Sequence, residues 1–296
     1  MESITFLERL PEHIKSTVQT IHLVEHGRNP SVVLYCESNK KLFVKCANSL
    51  HVKEEALILE ELDKYSFKHL KLPHLHAQTS PSEDDHSSLI ITSFCDGHPI
   101  EKSEFINHQD ILLSQLVELH QLEIDQLTYK PNTYEQNNIL NCPSLDDEIN
   151  EFFTNQNSVI QAQFTNLKSR YEKACQHLQN KSHILALNHG DLSPDNILFD
   201  NKSLTLIDWE YASIIDIRWD LAALATENNL NTYQFTQLCM DYVALFNQTE
   251  KTDKHLHTSL TVFIQDAMYW QDVYKFTCLI WSIKHKHPTL NYLIQT

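Results

Sequence analysis

Glycine is rare in this chain. The 296 residues contain three glycines, where average usage of about 7% would give roughly twenty. Because glycine allows backbone conformations that other residues avoid, we expect the chain to bend at these positions. Gly27 lies in a turn before a strand, Gly97 follows an apolar strand, and Gly190 lies in a polar loop.

Long apolar runs and paired cysteines are also missing. No window of about eighteen apolar residues occurs, which excludes a membrane span. The first residues lack the basic and apolar regions of a secretory signal. Seven cysteines are scattered without a Cys-x-x-Cys pair, which is typical of reduced thiols and argues against a disulfide framework or a zinc site. We expect a cytoplasmic location, and the sequence leaves the oligomeric state open.

Basic residues are outnumbered by acidic ones. There are 23 Lys and Arg against 39 Asp and Glu, a formal net charge of −16. This balance disfavours binding to nucleic acid or to an anionic membrane surface. It favours small cationic partners by electrostatic attraction, although solubility alone would account for the same charge.

One polar stretch has the spacing of a catalytic loop. The pattern His189-x-Asp191-x-x-x-x-Asn196 is that of kinases, in which the Asp meets the acceptor hydroxyl and the Asn holds a magnesium ion. The apolar run at 204–207 predicts a hairpin strand that returns Asp208 to this loop. We therefore predict Asp191 as the catalytic base, and Asn196 and Asp208 as magnesium ligands.

The same stretch resembles a known family. The run HGDLSPDNIL, followed by IDWEYA, looks like the aminoglycoside phosphotransferase and choline kinase superfamily. The IDWEY form with WDLA after it is most similar to the choline, ethanolamine and thiamine kinase branch. The resemblance implies an α+β, protein-kinase-like fold of two lobes, a small antiparallel sheet with one helix and a larger, mostly helical lobe. We expect these lobes at 1–92 and 99–296, joined by a hinge at 93–98.

A lysine and a glutamate upstream fit a nucleotide site. Residues 41–45 are predicted as a strand that ends in Lys45, and apolar residues at helical spacing predict a helix over 53–65. Kinases hold nucleotide phosphates with a strand lysine that pairs with a glutamate of the next helix. Lys45 and Glu55 are our candidates, and Glu54 is the alternative to Glu55.

Two backbone segments are predicted to contact the nucleotide. The turn with Gly27 and Asn29 resembles the family's phosphate loop, but the second glycine of that loop is missing, and a plain hairpin turn fits equally well. The hinge at Ser93, Phe94 and Cys95 is expected to hydrogen-bond adenine through its backbone.

A helix near the end of the chain offers a site for a cation. Four side chains at intervals of four, four and seven residues share one helix face, namely Asp266, Trp270, Tyr274 and Trp281. Aromatic rings with a carboxylate bind quaternary ammonium groups through cation-π attraction, whereas a stripe of aromatics is also typical of a packed core. The resemblance favours the first interpretation, because choline kinases have aromatics of this kind late in the chain.

Together these features predict an ATP- and Mg²⁺-dependent kinase for the hydroxyl of a small cationic alcohol, choline or ethanolamine first. No activation loop or Ala-Pro-Glu follows Asp208, which argues against a protein kinase. Thiamine kinase fits the same motif, and an aminoglycoside phosphotransferase or an inactive nucleotide-binding protein of this fold are further alternatives. Glu210 is close enough to the motif in sequence to reach the metal or the substrate cation. We predict it as a substrate-binding residue, and the metal stays the alternative.

Overall fold

The computed structural model describes residues 3–25, 29–82, 86–131, 147–248, 256 and 258–285. Its contacts divide the chain into two compact units. Unit 1 comprises Met1–Glu118, Asp125–Pro131 and Pro194–Ala212, and unit 2 comprises Leu119–Ile124, Asn132–Ser193 and Ser213–Thr296. The boundary falls within the catalytic-loop sequence, because Ser193 belongs to unit 2 and Pro194 to unit 1. The predicted hinge at 93–98 stays a prediction.

The helices of the described ranges are, in chain order, α1 (Ser3–Arg9), α2 (Glu12–Lys15), α3 (Ser49–Leu62), α4 (Lys102–His120), α5 (Asp147–Thr154), α6 (Ser158–Leu178), α7 (Arg218–Glu227), α8 (Thr232–Gln248) and α9 (Leu260–Lys284). The strands are β1 (Val18–Leu23), β2 (Ser31–Cys36), β3 (Lys41–Asn48), β4 (Leu75–Gln78), β5 (Ser87–Ser93), β6 (His98–Pro99), β7 (Leu185–Asn188), β8 (Ile197–Phe199), β9 (Leu204–Leu206) and β10 (Ser213–Asp216). Within these ranges no helix is both long enough and apolar enough to cross a bilayer.

Unit 1 is built on a five-stranded antiparallel sheet with the order β1-β2-β3-β5-β4. Alternate residues of the inner strands point to one face, as the two-residue period of a strand requires, and α1 and α2 cover that face. The buried cluster includes Phe6, Leu10, Val32, Leu34 and Val44. Apolar residues at helical spacing predict one or two helices over 3–19, broken near Pro11, but the helical part ends at Lys15 and Val18–Leu23 pairs with β2.

A second sheet of unit 1 has the order β6-β8-β9. Gly97 precedes β6 with a φ of +129°, and a Cβ there would lie 2.8 Å from the carbonyl oxygen of Phe199. Real Cβ atoms do not approach so closely, so this close contact between backbones requires glycine. The scarcity of glycine elsewhere in the chain is consistent with this local need.

Unit 2 is mostly helical, with one short antiparallel pair of strands, β7 and β10. The long helix α9 packs against α6 and α7, and its inward residues include Phe263, Trp270 and Leu279, each fully buried. The sequence also predicts helices at roughly 145–156 and 158–179, and the observed helices α5 and α6 lie within about two residues of those bounds.

Candidate active site

The predicted lysine–glutamate pair forms within unit 1. Lys45 is the fifth residue of β3, and α3 begins just after that strand, where the side chain of Asn48 accepts the N–H of Leu50. This cap orients the helix so that Lys45 Nζ lies 2.6 Å from Glu55 Oε2. Glu54 instead accepts the hydroxyl of Tyr129. Of the two glutamates, Glu55 is therefore the one that contacts the lysine.

The predicted hairpin is confirmed. Ile197 of β8 lies opposite Leu206 of β9, and the N–H of Ile207 donates to the carbonyl oxygen of Asn196 at 3.0 Å. The two predicted metal ligands therefore lie at the same end of the hairpin, with Asn196 directly before β8 and Asp208 two residues after β9. Asp208 adopts the left-handed conformation, with φ +63° and ψ +67°, which Asp tolerates better than most residues.

Three carboxylates converge on Lys45. Its Nζ lies 2.6 Å from Asp208 and 3.3 Å from Glu210, in addition to Glu55. Burial by itself would lower the pKa of Lys45, but the three negative charges outweigh it and raise that pKa well above its usual value. Lys45 therefore stays charged, and the group carries three acidic side chains against one ammonium.

Glu55 is a member of this group whose pKa is raised. Burial raises the pKa of this carboxyl to about 7, and the neighbouring Asp208 and Glu210 act in the same direction against Lys45. An oxygen from each of Glu55, Asp208 and Glu210 lies within 4.8 Å of the others, a grouping that could hold a metal ion. Oxygen donors with surplus negative charge suit Mg²⁺, so the residues present fit that ion.

Glu210 lies with the metal-ligand candidates. Predicted as a substrate contact, its carboxylate is nearly buried beside Lys45, and its Oε2 lies 3.7 Å from His51 Nδ1. Burial would raise the pKa of Glu210, but His51 and Lys45 outweigh it and lower that pKa to about 2. Glu210 in turn raises the pKa of His51. Of the two roles that the sequence left open for Glu210, this position favours the metal.

The loop around Asp191 is held within unit 2. The two oxygens of Asp220, at the start of α7, accept the N–H groups of His189 at 2.9 Å and Gly190 at 3.0 Å. Trp219 Nε1 donates to the carbonyl oxygen of Gly190 at 3.2 Å. Gly190 has a φ of +89°, which few other residues adopt readily. Gly190, directly before the half-buried Asp191, is thus held through both its N–H and its carbonyl group.

A carboxylate and two aromatic rings adjoin this loop. The Tyr274 hydroxyl donates to Glu227 Oε1 at 3.1 Å, and its ring lies edge-on to Trp219 with the centroids 5.2 Å apart. Burial raises the pKa of the Tyr274 hydroxyl well above its usual value, and the charges of Glu227 and Asp191 add to the shift. The rings of Tyr274 and Trp219 are buried, whereas Glu227 is half-buried, so its carboxylate gives this cluster access to solvent.

The rest of the predicted aromatic face is enclosed. Trp270 is fully buried, and Asp266 is 2% exposed and binds Arg218 at 2.8 Å and His177 at 2.7 Å. Their burial corrects the expectation of a continuous cation-binding wall, because a carboxylate that neutralises an internal arginine has no oxygen facing a ligand. Trp281 is half-buried and stacks on His285. Of the four residues, Tyr274 lies close enough to Asp191 for the charge of Asp191 to raise its pKa.

The predicted nucleotide contacts in the backbone lie in unit 1. The N–H of Ser93 donates to the carbonyl of His74, and the N–H of Phe94 donates to the carbonyl of Lys41. These two amides are therefore already used, and Cys95 follows directly. The carbonyl of Asn29 accepts the Ser31 hydroxyl. Gly27 lies outside the described residues.

Three residues of these clusters were not predicted. His51 precedes Glu55 by one helical turn, and Glu227 follows Asp220 by two turns of α7, which are spacings that place each pair on one helix face. Trp219 stands next to Asp220 in the sequence. The sequence signal for His51 and Glu227 was their helical spacing from Glu55 and Asp220. The same spacing also occurs at many residues that have no role in a site.

The sequence and the fold were compared with known proteins. The model of the phosphotransferase enzyme family, APH, matches residues 20–253. Protein LicA of Haemophilus influenzae is 24% identical over 255 residues, which cover 82% of this chain and 70% of that protein.

Two solved structures illustrate the likeness of fold. The GDP complex of wild-type aminoglycoside 2'-phosphotransferase-IIIa has a TM-score of 0.71 at 14% identity and covers 100% of this chain and 98% of its own. Choline kinase LicA from Streptococcus pneumoniae has a TM-score of 0.67 at 15% identity and covers 99% and 97%. The predicted α+β, protein-kinase-like fold is thereby confirmed.

Proposed function

Because the chain belongs to the phosphotransferase enzyme family, we propose that it transfers the γ-phosphoryl group of ATP to the hydroxyl of a small cationic alcohol, choline or ethanolamine first. Membership of the family agrees with the resemblance of the catalytic-loop sequence. The observation that carries the choice of a cationic alcohol is the cluster of Glu227, Tyr274 and Trp219 beside the loop of Asp191.

The nucleotide side of the proposal uses the group around Lys45. Lys45, positioned by Glu55, would neutralise negative charge on the phosphates. Asn196 and Asp208 would hold Mg²⁺, with the carboxylate of Glu210 as a further ligand. Bound magnesium would offset the charge of the phosphates. The surplus of acidic groups around a single ammonium supports this role, because a divalent cation would balance it.

The adenine contact of the proposal is placed at Cys95. The amides of Ser93 and Phe94 already donate to backbone carbonyls, so the amide of Cys95 is the donor that we assign to the base. Asn29 and Gly27 keep their proposed place near the phosphates. The assignments of Cys95, Asn29 and Gly27 are those that the sequence predicts.

Asp191 would orient the acceptor hydroxyl and take its proton. A carboxylate can do this when its position is fixed relative to the acceptor. Such a restraint comes from two hydrogen bonds of Gly190, whose N–H donates to Asp220 and whose carbonyl oxygen accepts from Trp219 Nε1. Asp191 itself is half-buried, which leaves its carboxylate within reach of a small substrate.

The cation of the substrate is assigned to Glu227 and the rings of Tyr274 and Trp219. A carboxylate attracts an ammonium group directly, and aromatic faces attract it through their quadrupoles. The formal net charge of −16 supports the same preference at longer range. The similarity to LicA, which in Streptococcus pneumoniae is described as a choline kinase, also supports it. A cytoplasmic location stays a prediction.

The test is an ADP-release assay with choline, ethanolamine, thiamine and kanamycin as acceptors. We expect turnover with choline or ethanolamine to exceed that with the other two compounds. Faster turnover of thiamine would replace choline and ethanolamine as the preferred cationic alcohols, and faster turnover of kanamycin would overturn the class of small alcohols. Absence of turnover with all four would overturn the proposal.

The role of Glu227 is tested with a neutral isostere of choline, 3,3-dimethylbutan-1-ol. Glu227→Gln keeps an oxygen that accepts from Tyr274 but removes the charge. We expect the KM for choline to rise about tenfold, the equivalent of about 1.4 kcal/mol, with the KM values for ATP and for the isostere unchanged. Glu172→Gln is the matched control, since Glu172 is a partly exposed helix residue beside Lys168. Equal effects on choline and the isostere would exclude a charge interaction at Glu227.

A further inference from the structure

A row of buried polar side chains in unit 2 ends on the backbone of the catalytic loop. The Tyr242 hydroxyl of α8 lies 2.8 Å from His120 Nδ1, at the end of α4, and His120 Nε2 lies 3.2 Å from Asp220 Oδ2. Tyr242 and Asp220 are fully buried, and His120 is 1% exposed. Asp220 then holds the loop amides of His189 and Gly190.

The chemistry of the row assigns each hydrogen. Asp220 Oδ2 accepts from the backbone, so the ring nitrogen that faces this carboxylate has to be a donor. A neutral imidazole with its hydrogen on Nε2 leaves Nδ1 as the acceptor for the hydroxyl of Tyr242. With this tautomer, Tyr242 donates to His120, and His120 donates to Asp220. Each polar atom of the row has a partner, which is required of groups with no access to water.

The orientation of Asp220 decides whether both loop amides are held. Its two oxygens each accept one N–H, and rotation of the carboxylate by about a quarter turn would break both bonds. Because Gly190 has a positive φ, its peptide depends on such restraints more than a regular strand does. His120 Nε2 restrains the same carboxylate at Oδ2, the oxygen that accepts the N–H of His189.

We propose that His120 and Tyr242 are positioning residues that act through Asp220 on the loop that presents Asp191. The row sets the direction of the Asp220 carboxylate, the carboxylate sets the peptides of His189 and Gly190, and these peptides set Asp191. The catalytic consequence rests on the proposed phosphotransfer, whereas the restraint on the loop does not depend on which substrate is used.

Tyr242→Phe tests the first member of the row. The change removes one hydroxyl and keeps the ring, which packs against Phe246 and Phe263. We expect kcat to fall about tenfold, as the loss of one hydrogen bond in the row would give, with both KM values within about twofold of wild type. The matched control is Tyr171→Phe, a buried tyrosine of α6 whose ring stacks on Phe276. Equal kcat values in the two variants would overturn the proposal.

His120 offers a test by conservative rescue. The amide nitrogen of His120→Gln can reach the position of Nε2 and donate to Asp220, whereas His120→Leu removes the donor. We expect kcat of the Gln variant to exceed that of the Leu variant by at least about tenfold. If the two variants differ only in melting temperature and not in kcat, His120 has a purely structural role.

Hydrogen exchange separates this inference from the proposed function. Tyr242→Phe and His120→Leu should speed exchange at the amides of His189 and Gly190, relative to the amides of β10 in the same protein, and Tyr171→Phe should not. This result would support the row even if no acceptor were phosphorylated. Unchanged exchange in the loop would overturn the row even in an active kinase.

Discussion

Lys45 Nζ lies 2.6 Å from a carboxylate oxygen of Asp208, although 163 positions of sequence separate the two residues. Lys45 lies in strand β3, and Asp208 follows strand β9 of the hairpin. Hydrogen bonds between strands therefore hold the backbone near both residues. Glu55 approaches the same nitrogen from α3. This convergence of charged side chains supports the assignment of the nucleotide phosphates and magnesium to unit 1.

We expect Asp208→Asn to raise the magnesium concentration for half-maximal activity by about tenfold or more, since a neutral amide oxygen binds the ion less strongly. Glu210→Gln should move the same quantity in the same direction and leave the KM for the alcohol unchanged. Magnesium titrations at saturating alcohol measure both. A raised KM for the alcohol with unaltered magnesium dependence would return Glu210 to the substrate.

Asp191→Asn is expected to lower kcat by roughly two to four powers of ten, the usual contribution of a general base. Nucleotide affinity should stay within about twofold of wild type, because the proposed base contacts the acceptor hydroxyl. Steady-state kinetics and calorimetry measure the two effects. Asp195→Asn is the control, since this exposed aspartate lies in the same loop. Normal turnover in Asp191→Asn would remove it from the mechanism.

Trp270 should matter for stability and not for substrate affinity. Trp270→Ala is expected to lower the free energy of unfolding by about 3–5 kcal/mol, because the ring is fully buried. Trp281→Ala should cost less, since Trp281 is half-buried. Denaturant unfolding measures the difference. Trp270→Phe, which keeps much of the packing, should leave the KM for choline unchanged, and a rise confined to choline would restore Trp270 to the cation site.

Asp216 gives a prediction for acid stability. Burial would raise its pKa, but its hydrogen bonds and ion pair with Arg218 outweigh this and lower the pKa from 3.8 to about 2. The folded state then binds the proton less tightly than the unfolded chain does. Asp216 therefore stabilises the fold fully above about pH 4, and about 2 kcal/mol of this is lost as the pH falls to about 2.

The Asp216→Asn variant should be less stable at neutral pH and should lose stability less steeply below pH 4. The slope should differ from wild type by up to about 1.4 kcal/mol per pH unit. Urea unfolding from pH 5 to the lowest pH at which both proteins fold measures it, with Asp241→Asn as a half-exposed control. Identical slopes for Asp216→Asn and wild type would show that the pKa of Asp216 is not lowered by folding.

The sequence by itself was enough to predict the hairpin from Asn196 to Asp208 and the strand and helix of Lys45 and Glu55. These features are local, because the apolar runs, their periods and their polar turns all lie within about twenty residues of one another. The kinase-like fold followed from the same motifs by resemblance. Each of these predictions depended on spacing along the chain.

Tertiary structure decided between alternatives that have the same spacing along the sequence. Glu54 and Glu55 are neighbours, and only packing of α3 on the sheet turns Glu55 toward Lys45. Helical periodicity placed Asp266, Trp270 and Tyr274 on one face but did not tell whether that face meets a ligand or the core, since a buried face and a binding face share one period. The partner of Asp266 is Arg218, 48 positions away. Pairing of residues so far apart in sequence depends on the whole fold, so local spacing along the chain does not predict it.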